Sequence, residues 1–259
     1  MITSIEHNIP ELEDMKKYPK ELYSLGNLSL LKRRKVSIVG TRRPSGYTKQ
    51  YTQLLAQSLV KRGIILVSGA AMGVDAIVHS SSGWKNTIAV VANGLDIRYP
   101  SVNRHLIESI ENEGLVLSQF SKGTKATPWS FVVRNELVVA LGEVLIVTEA
   151  DENSGSMRSV EFALRMGKEV YVLPQRLGES NGTNRLLADG LAKPINDILQ
   201  FSNKFGVEPQ NTLIEKDEFF YFCQTMPTLD EAVAKFTDRV YEAELEGLIF
   251  IENGLVRLV

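Results

Sequence analysis

The run Gly40-Thr41-Arg42-Arg43-Pro44-Ser45-Gly46 follows directly on the apolar, β-branched stretch Val36–Val39. Two glycines, two hydroxyls and two arginines in a turn behind a buried strand are suited to holding an anion. A helix N-terminus offers free N–H groups and a favourable dipole, and arginine adds fixed charge and bidentate donors. An exposed turn with solvated arginines has the same composition. The spacing rejects two familiar nucleotide loops. Five residues separate the glycines where a Walker A loop has four, and Tyr47-Thr48 replaces its Lys-Ser/Thr pair. Arg42 stands where a GxGxxG loop needs its second glycine.

Other turns repeat the theme. Ser68-Gly69-Ala70-Ala71-Met72-Gly73 is small enough for a ligand to reach the backbone. Asp75 and His79, four apart, share one helix face beside it. They read equally as a polar pair at a crevice or as a first-turn acid plus a packed histidine. From Lys122 to Asn135, Lys122 and Lys125 precede Trp129, Phe131, Arg134 and Asn135. Cations contact phosphates and rings stack on bases, although Trp129 and Phe131 also suit a helix-start core. Glu149 leads into Ser154-Gly155-Ser156, whose serines could cap a helix or hold a phosphate. Gly182-Thr183-Asn184 reads as one more glycine–hydroxyl turn before a helix. No pair of carboxylates, Ser-His-Asp order or metal cluster stands out, so the pattern suits holding phosphates rather than breaking bonds.

These turns need a scaffold. Apolar runs at Val36–Val39, Ile64–Val67, Thr87–Val91, Leu115–Leu117, Val144–Thr148 and Val170–Leu173 alternate with helical stretches at Tyr47–Arg62, Val74–Ser82, Asn103–Glu113, Phe131–Leu141 and Ser156–Met166. Continuous apolar strands imply burial on both faces. The alternation predicts α/β architecture: an extended Rossmann-like, doubly wound, mostly parallel sheet. Residues 1–30 read as a short irregular N-terminal extension, 31–202 as the Rossmann domain and 203–212 as a linker. Residues 213–259, with three helical patterns and the hairpin signal Asn253-Gly254, read as a small winged-helix-like domain.

Charge separates the two parts. Val207–Val259 holds 4 basic and 11 acidic residues, while the preceding chain holds 25 basic and 20 acidic. A mildly basic body with an acidic tail suggests two different partners. The only cysteine, Cys223, sits in Phe219-Phe-Tyr-Phe-Cys223, which favours a packing role and excludes an internal disulfide. No apolar run reaches membrane length and no secretory leader is visible, so a cytoplasmic location is expected.

Seven motifs then fall in the order and spacing of one family. They are Tyr18-Pro19…Leu22; Ile38-Val-Gly40-Thr-Arg42; Val67-Ser-Gly69…Gly73-Val-Asp75…His79; Gly94-Leu-Asp96…Tyr99-Pro100; Phe131…Arg134-Asn135; Glu149-Ala…Ser154-Gly-Ser156; and Gly182-Thr-Asn184. The chain from about residue 18 to 200 resembles the DNA-processing protein A family (DprA, also called Smf). The resemblance implies a homodimer that binds single-stranded DNA, protects it and loads the RecA recombinase onto it during natural transformation, with no cofactor and no enzymatic activity. It implies that Arg42 and the Gly40 turn grip backbone phosphates together with Ser68-Gly69. Phe131, Arg134 and Asn135 would line the DNA pocket.

The sequence departs from the family pattern at Ala70-Ala71, at Gln119 and at Glu136, which removes a positive charge near the pocket. The tail departs in charge: Asp238–Glu246, the presumed recognition stretch, has four acids and one arginine. Like charge opposes phosphate approach, so this domain is expected to contact protein rather than DNA. Two other readings compete: a sensor for a free nucleotide, and a phosphoribohydrolase-like enzyme, for which the Pro-Gly-Gly-x-Gly-Thr-x-x-Glu run is missing.

Overall fold

A computed structural model describes residues 2–206, 218–245, 248–252 and 254–258. The chain divides into two compact units, Met1–Glu208 and Pro209–Val259. The first unit runs β1 (Thr3–Ser4), β2 (Tyr23–Gly26), β3 (Lys35–Val39), α1 (Gly46–Lys61), β4 (Ile65–Ser68), α2 (Val74–Ser82), β5 (Thr87–Val91), α3 (Arg104–Glu113), β6 (Leu115–Ser118), α4 (Pro128–Leu141), β7 (Leu145–Val147), α5 (Gly155–Arg165), β8 (Val170–Val172), α6 (Asn181–Ala188), β9 (Lys193–Pro194) and α7 (Ile198–Ser202).

Nine strands form one sheet in the order β1-β2-β6-β5-β4-β3-β7-β8-β9. Pairings from β6 to β9 are parallel, and β2 joins β6 antiparallel. Strand side chains alternate between faces, and the core divides accordingly. Val39, Val67, Val90 and Val147 pack with Leu137, Leu141 and Val160 from α4 and α5. Val36, Ile38, Leu66 and Ile146 pack with Leu55, Leu59, Val74 and Phe201 from α1, α2 and α7. Burial on both faces explains the unbroken apolar strands, each buried Val, Leu or Ile contributing about 1.5–3 kcal/mol. The sheet is Rossmann-like and doubly wound: the chain steps outward from β3 to β6, then crosses back to β7 on the other side of β3. That reversal, between β3 and β7, is where an open α/β sheet leaves a crevice beyond its carboxyl ends.

Two expectations need correcting. Residues 1–30 are no extension: β2 is a sheet strand, and Ile9, Leu12 and Met15 are buried in the core. Residues 203–206 do not behave as a linker. Phe205 is buried beside Phe201, and the Asn203 side-chain oxygen accepts from the Arg62 guanidinium at 2.7 and 2.9 Å. Aromatic burial outweighs the polar composition that suggested a linker. The remainder of that stretch, 207–212, lies outside the described residues.

The second unit holds α8 (Glu218–Gln224), α9 (Leu229–Phe236), α10 (Arg239–Leu245), β10 (Ile249–Glu252) and β11 (Leu255–Leu258). A Thr228/Glu231 capping box starts α9. Strands β10 and β11 pair antiparallel, with Glu252 opposite Leu255. Gly254 has φ 76°, as a tight hairpin turn requires, and Asn253 lies outside the described residues. Cys223 is buried in this unit's core with Phe219, Val240 and Val256. Among the described residues, no helix is long and apolar enough to cross a membrane.

Candidate nucleic-acid interface

A cleft of about 430 Å³ opens at the β3/β7 switch point. Gly40, Thr41, Arg42, Gly69, Ala71, Asp75, Arg134, Asn135, Ser154, Gly155 and Ser156 line it. It thus brings together turns that the sequence scatters over more than a hundred residues.

The Gly40–Arg42 turn is pinned from both sides. The Thr41 N–H donates to the Glu149 carbonyl at 2.8 Å, and the Thr41 carbonyl accepts from Val74 N–H at 3.1 Å. A Cβ on Gly40 would meet Val74 Cγ2 at 2.6 Å, so only glycine lets β3 pass so close to α2. The Arg42 side chain projects outward. It is exposed, with no ion pair among the described residues, and its guanidinium lies 5.4 Å from the Phe131 ring centroid.

Helix α4 supplies the opposite wall. Thr127 and Ser130 form a capping box with Pro128 in the first turn, which fixes where the helix starts. Phe131, Arg134 and Asn135 then fall on one face, three and four apart. Phe131 is half-buried, with Arg134 as a second cation 5.7 Å from its ring centroid and the Tyr99 ring centroid at 6.1 Å. Arg134 forms the floor rather than the rim, being only 5% exposed. It donates to the Val90 carbonyl at 3.2 Å and lies 3.8 Å from Asp75. A Cβ on Gly69 would stand 1.3 Å from the Arg134 guanidinium, so Gly69 is the opening through which that cation enters. Asp75 also accepts from the Ala71 N–H at 3.2 Å. Burial pushes the Asp75 carboxyl up, against the pull of Arg134. Burial lowers the Arg134 pKa, and Asp75 opposes that shift.

The third wall is the start of α5. Ser154 occupies the N-cap position but makes no capping bond, and its buried Oγ has no partner among the described residues. First-turn N–H groups that a capping serine would occupy therefore remain available at the cleft. Asn135 Nδ2 donates to the Gly155 carbonyl at 3.3 Å and joins the two helices.

Several sequence-based expectations change here. The start of α1 is not a free anion site. Ser45 N–H and Oγ donate to the Glu149 carboxylate at 3.0 and 2.9 Å, and Thr48 N–H donates to Ser45 Oγ at 3.2 Å. Glu149 already sits where an anion would. Ser68 is fully buried and its hydroxyl donates to the Ile38 carbonyl at 2.7 Å, so it cannot grip a phosphate. Gly182, Thr183 and Asn184 lie inside α6, not in a crevice turn. Thr183 Oγ1 bonds Ser180, and Asn184 Nδ2 donates to the Arg176 and Glu179 carbonyls. Arg43, Lys122 and Lys125 are exposed but do not line this cleft. Trp129 is 67% exposed, with its edge on Phe120. Glu136 accepts from the Lys16 N–H at 3.2 Å and is not among the cleft's lining residues.

His79 is fully buried. Its Nε2 accepts from the Ala70 N–H at 3.3 Å, which leaves Nδ1–H to donate to Thr87 Oγ1 at 2.7 Å. It fastens β4 and β5 under the cleft and is no ligand. Burial, and next the Arg134 charge, lower its pKa to about 3. Folded below its unfolded value, such a group contributes stability that is complete above about pH 6.5. That stability drains as pH falls toward 3, by up to about 1.4 kcal/mol per pH unit. Urea unfolding at stepped pH is expected to show this slope in the wild type and not in His79→Gln. Asp75 acts in the opposite direction in both proteins. Equal slopes would mean that His79 is not the group responsible.

The loop after β5, which carries the motif Gly94-Leu-Asp96…Tyr99-Pro100, adds two residues to the sequence-predicted site. Tyr99 and Asn93 lie there, lining a small recess with Arg42, Met72 and Phe131. The signal was present in Gly94-Leu-Asp96, a glycine turn behind a buried strand.

The DNA recombination-mediator protein A family profile matches residues 1–206. Protein Smf of Synechocystis is 38% identical over 180 residues, covering 66% of this chain and 45% of that protein. The DNA processing protein DprA of Bacillus subtilis is 35% identical over 177 residues, covering 66% of this chain and 60% of the relative. The chain thus spans about half the length of these curated relatives. Among solved structures, DNA processing protein A of Helicobacter pylori, described for its single-stranded DNA binding mode, aligns at a TM-score of 0.77. It is 42% identical and the match covers 79% of this chain and 95% of that one. The protein of the same name from Streptococcus pneumoniae aligns at 0.73 with 32% identity, covering 80% of this chain and 75% of that one.

Proposed function

This chain belongs to the DNA recombination-mediator protein A family, and from that premise we propose that it binds single-stranded DNA in the β3/β7 cleft as a non-catalytic recombination mediator. The observation that carries the reading is the exposed Arg42 guanidinium, which makes no ion pair among the described residues, beside Phe131 and across the cleft from the start of α5. Arg42 and the α5 N–H groups take successive backbone phosphates. Phe131, close to both Arg42 and Arg134, offers a ring for base stacking that tolerates any base. Backbone grip plus stacking reads no sequence, as a mediator of arbitrary incoming DNA requires.

The same family likeness supports homodimer formation and delivery of the strand to the RecA recombinase in natural transformation. The second unit, with three helices and a hairpin, is proposed to be winged-helix-like. Its α10 segment carries Glu242 and Glu244, a charge that favours a protein partner over DNA.

Fluorescence anisotropy tests the reading. Labelled single strands should bind better than duplex of equal length, more tightly as they lengthen, and more weakly as salt rises. A chain ending at Gly206 should keep the same salt slope. Saturation by AMP alone, with no gain from length, would replace this reading by a mononucleotide pocket.

A further inference from the structure

A second concavity shares a wall with the cleft. It lies between α1 and α2, on the far side of the turn after β3, and measures about 710 Å³. Arg42 lines both hollows. Arg43 and Lys49 join it in the second, with Ala76, Ile77, Ser80 and Ser81 contributed by α2. No Asp or Glu stands among its lining residues. Arg42, Arg43 and Lys49 are exposed, and none makes an ion pair among the described residues.

Gly73 lets the start of α2 pack directly on the Arg42 backbone. This glycine has φ 78°, and a Cβ on it would lie 2.5 Å from the Arg42 backbone.

We propose that this groove is a second arm of the DNA path: the strand held in the cleft turns over Arg42, and its next phosphates run between α1 and α2 on Arg43 and Lys49. The proposal rests on the single-stranded DNA reading of the cleft. Two physical features select the occupant. Three exposed cations with no ion pair among the described residues line one groove that shares Arg42 with the cleft, an arrangement that suits a chain of charges better than one small anion. The groove also lacks any aromatic lining, whereas Phe131 and Tyr99 line the recess that meets the cleft at Arg42. Stacking therefore belongs to that recess and pure electrostatics to the groove, so the groove should add affinity without sequence preference.

The test uses the full chain, with labelled oligothymidylates from about 4 to about 16 nucleotides. Lys49→Glu changes one exposed side chain that touches only the groove. The variant is expected to bind the shortest strands as the wild type does. Its gain with length should flatten, leaving the longest strands about tenfold weaker at low salt. Its log–log salt slope on those strands should be shallower by about 0.7 for one lost phosphate. The same length dependence and salt slope as wild type would overturn the second arm and leave the cleft reading intact. An equal loss at every length would also overturn it, because Lys49 would then serve the cleft itself. Failure of the wild type to bind any length would remove both readings.

Discussion

Arg42→Ala is expected to weaken single-stranded DNA binding by about 2–3 kcal/mol, roughly 30- to 150-fold, with the midpoint of thermal unfolding nearly unchanged. The two halves of this expectation have separate causes. The guanidinium is exposed and makes no ion pair among the described residues, so removing it leaves no buried partner stranded. It is also the cation shared by the cleft, the recess under Tyr99 and the α1–α2 groove. Its loss takes away a charge-assisted phosphate contact and the cation over the Phe131 face. Arg42→Lys should recover part of the affinity, because lysine keeps the charge but not the bidentate fork. Phe131→Ala belongs to the same series and should cost about 1–3 kcal/mol of stacking, with the salt slope kept. Anisotropy titrations at several salt concentrations separate the two. An Arg42→Ala protein with wild-type affinity and slope would remove Arg42 from the phosphate path.

Much of this arrangement was legible in the sequence because it depends on short-range rules. The buried strands and the helices between them follow from apolar runs, and their ends shift by at most three residues, the largest shift being the start of α4 at Pro128. Phe131, Arg134 and Asn135 share a face because three and four residues make one helical turn. Even the misplacement of Ser68 was readable. It follows Leu66 by two, so it shares that residue's face and turns into the core beneath α2.

Other features depend on contacts that no local pattern encodes. Glu149 occupies the start of α1 from 104 residues away. Gly182-Thr183-Asn184 carries the composition of a binding turn but supplies the first turn of α6, because glycine and hydroxyl residues serve both purposes. The α5 start is the reverse case. Ser154 looks like an ordinary cap, yet its hydroxyl has no partner among the described residues at the cleft wall. Only the fold reveals which helix N-terminus is occupied and which is open.

The buried pair under the cleft gives the largest expected effect on stability. Asp75→Ala should destabilise the protein by about 3–5 kcal/mol, since it strands the Arg134 cation in a site only 5% exposed. Arg134→Met alone should cost a similar amount, because it leaves the Asp75 carboxylate in an environment that already pushes its pKa up. Combining Arg134→Met with Asp75→Leu removes both charges and keeps the volume filled, so most of the lost stability should return. DNA affinity should not return with it. Arg134 lies 5.7 Å from the Phe131 ring centroid, and Gly69 leaves room for its guanidinium. Without that cation the ring loses one of its two positive neighbours and the floor of the cleft loses its charge. Urea unfolding of the three variants measures the first claim, and anisotropy on the refolded double variant measures the second. A double variant as unstable as either single one would show that the pair is not the source of the loss. One that is stable and binds DNA like the wild type would reduce Arg134 to packing and leave Arg42 to hold the strand alone.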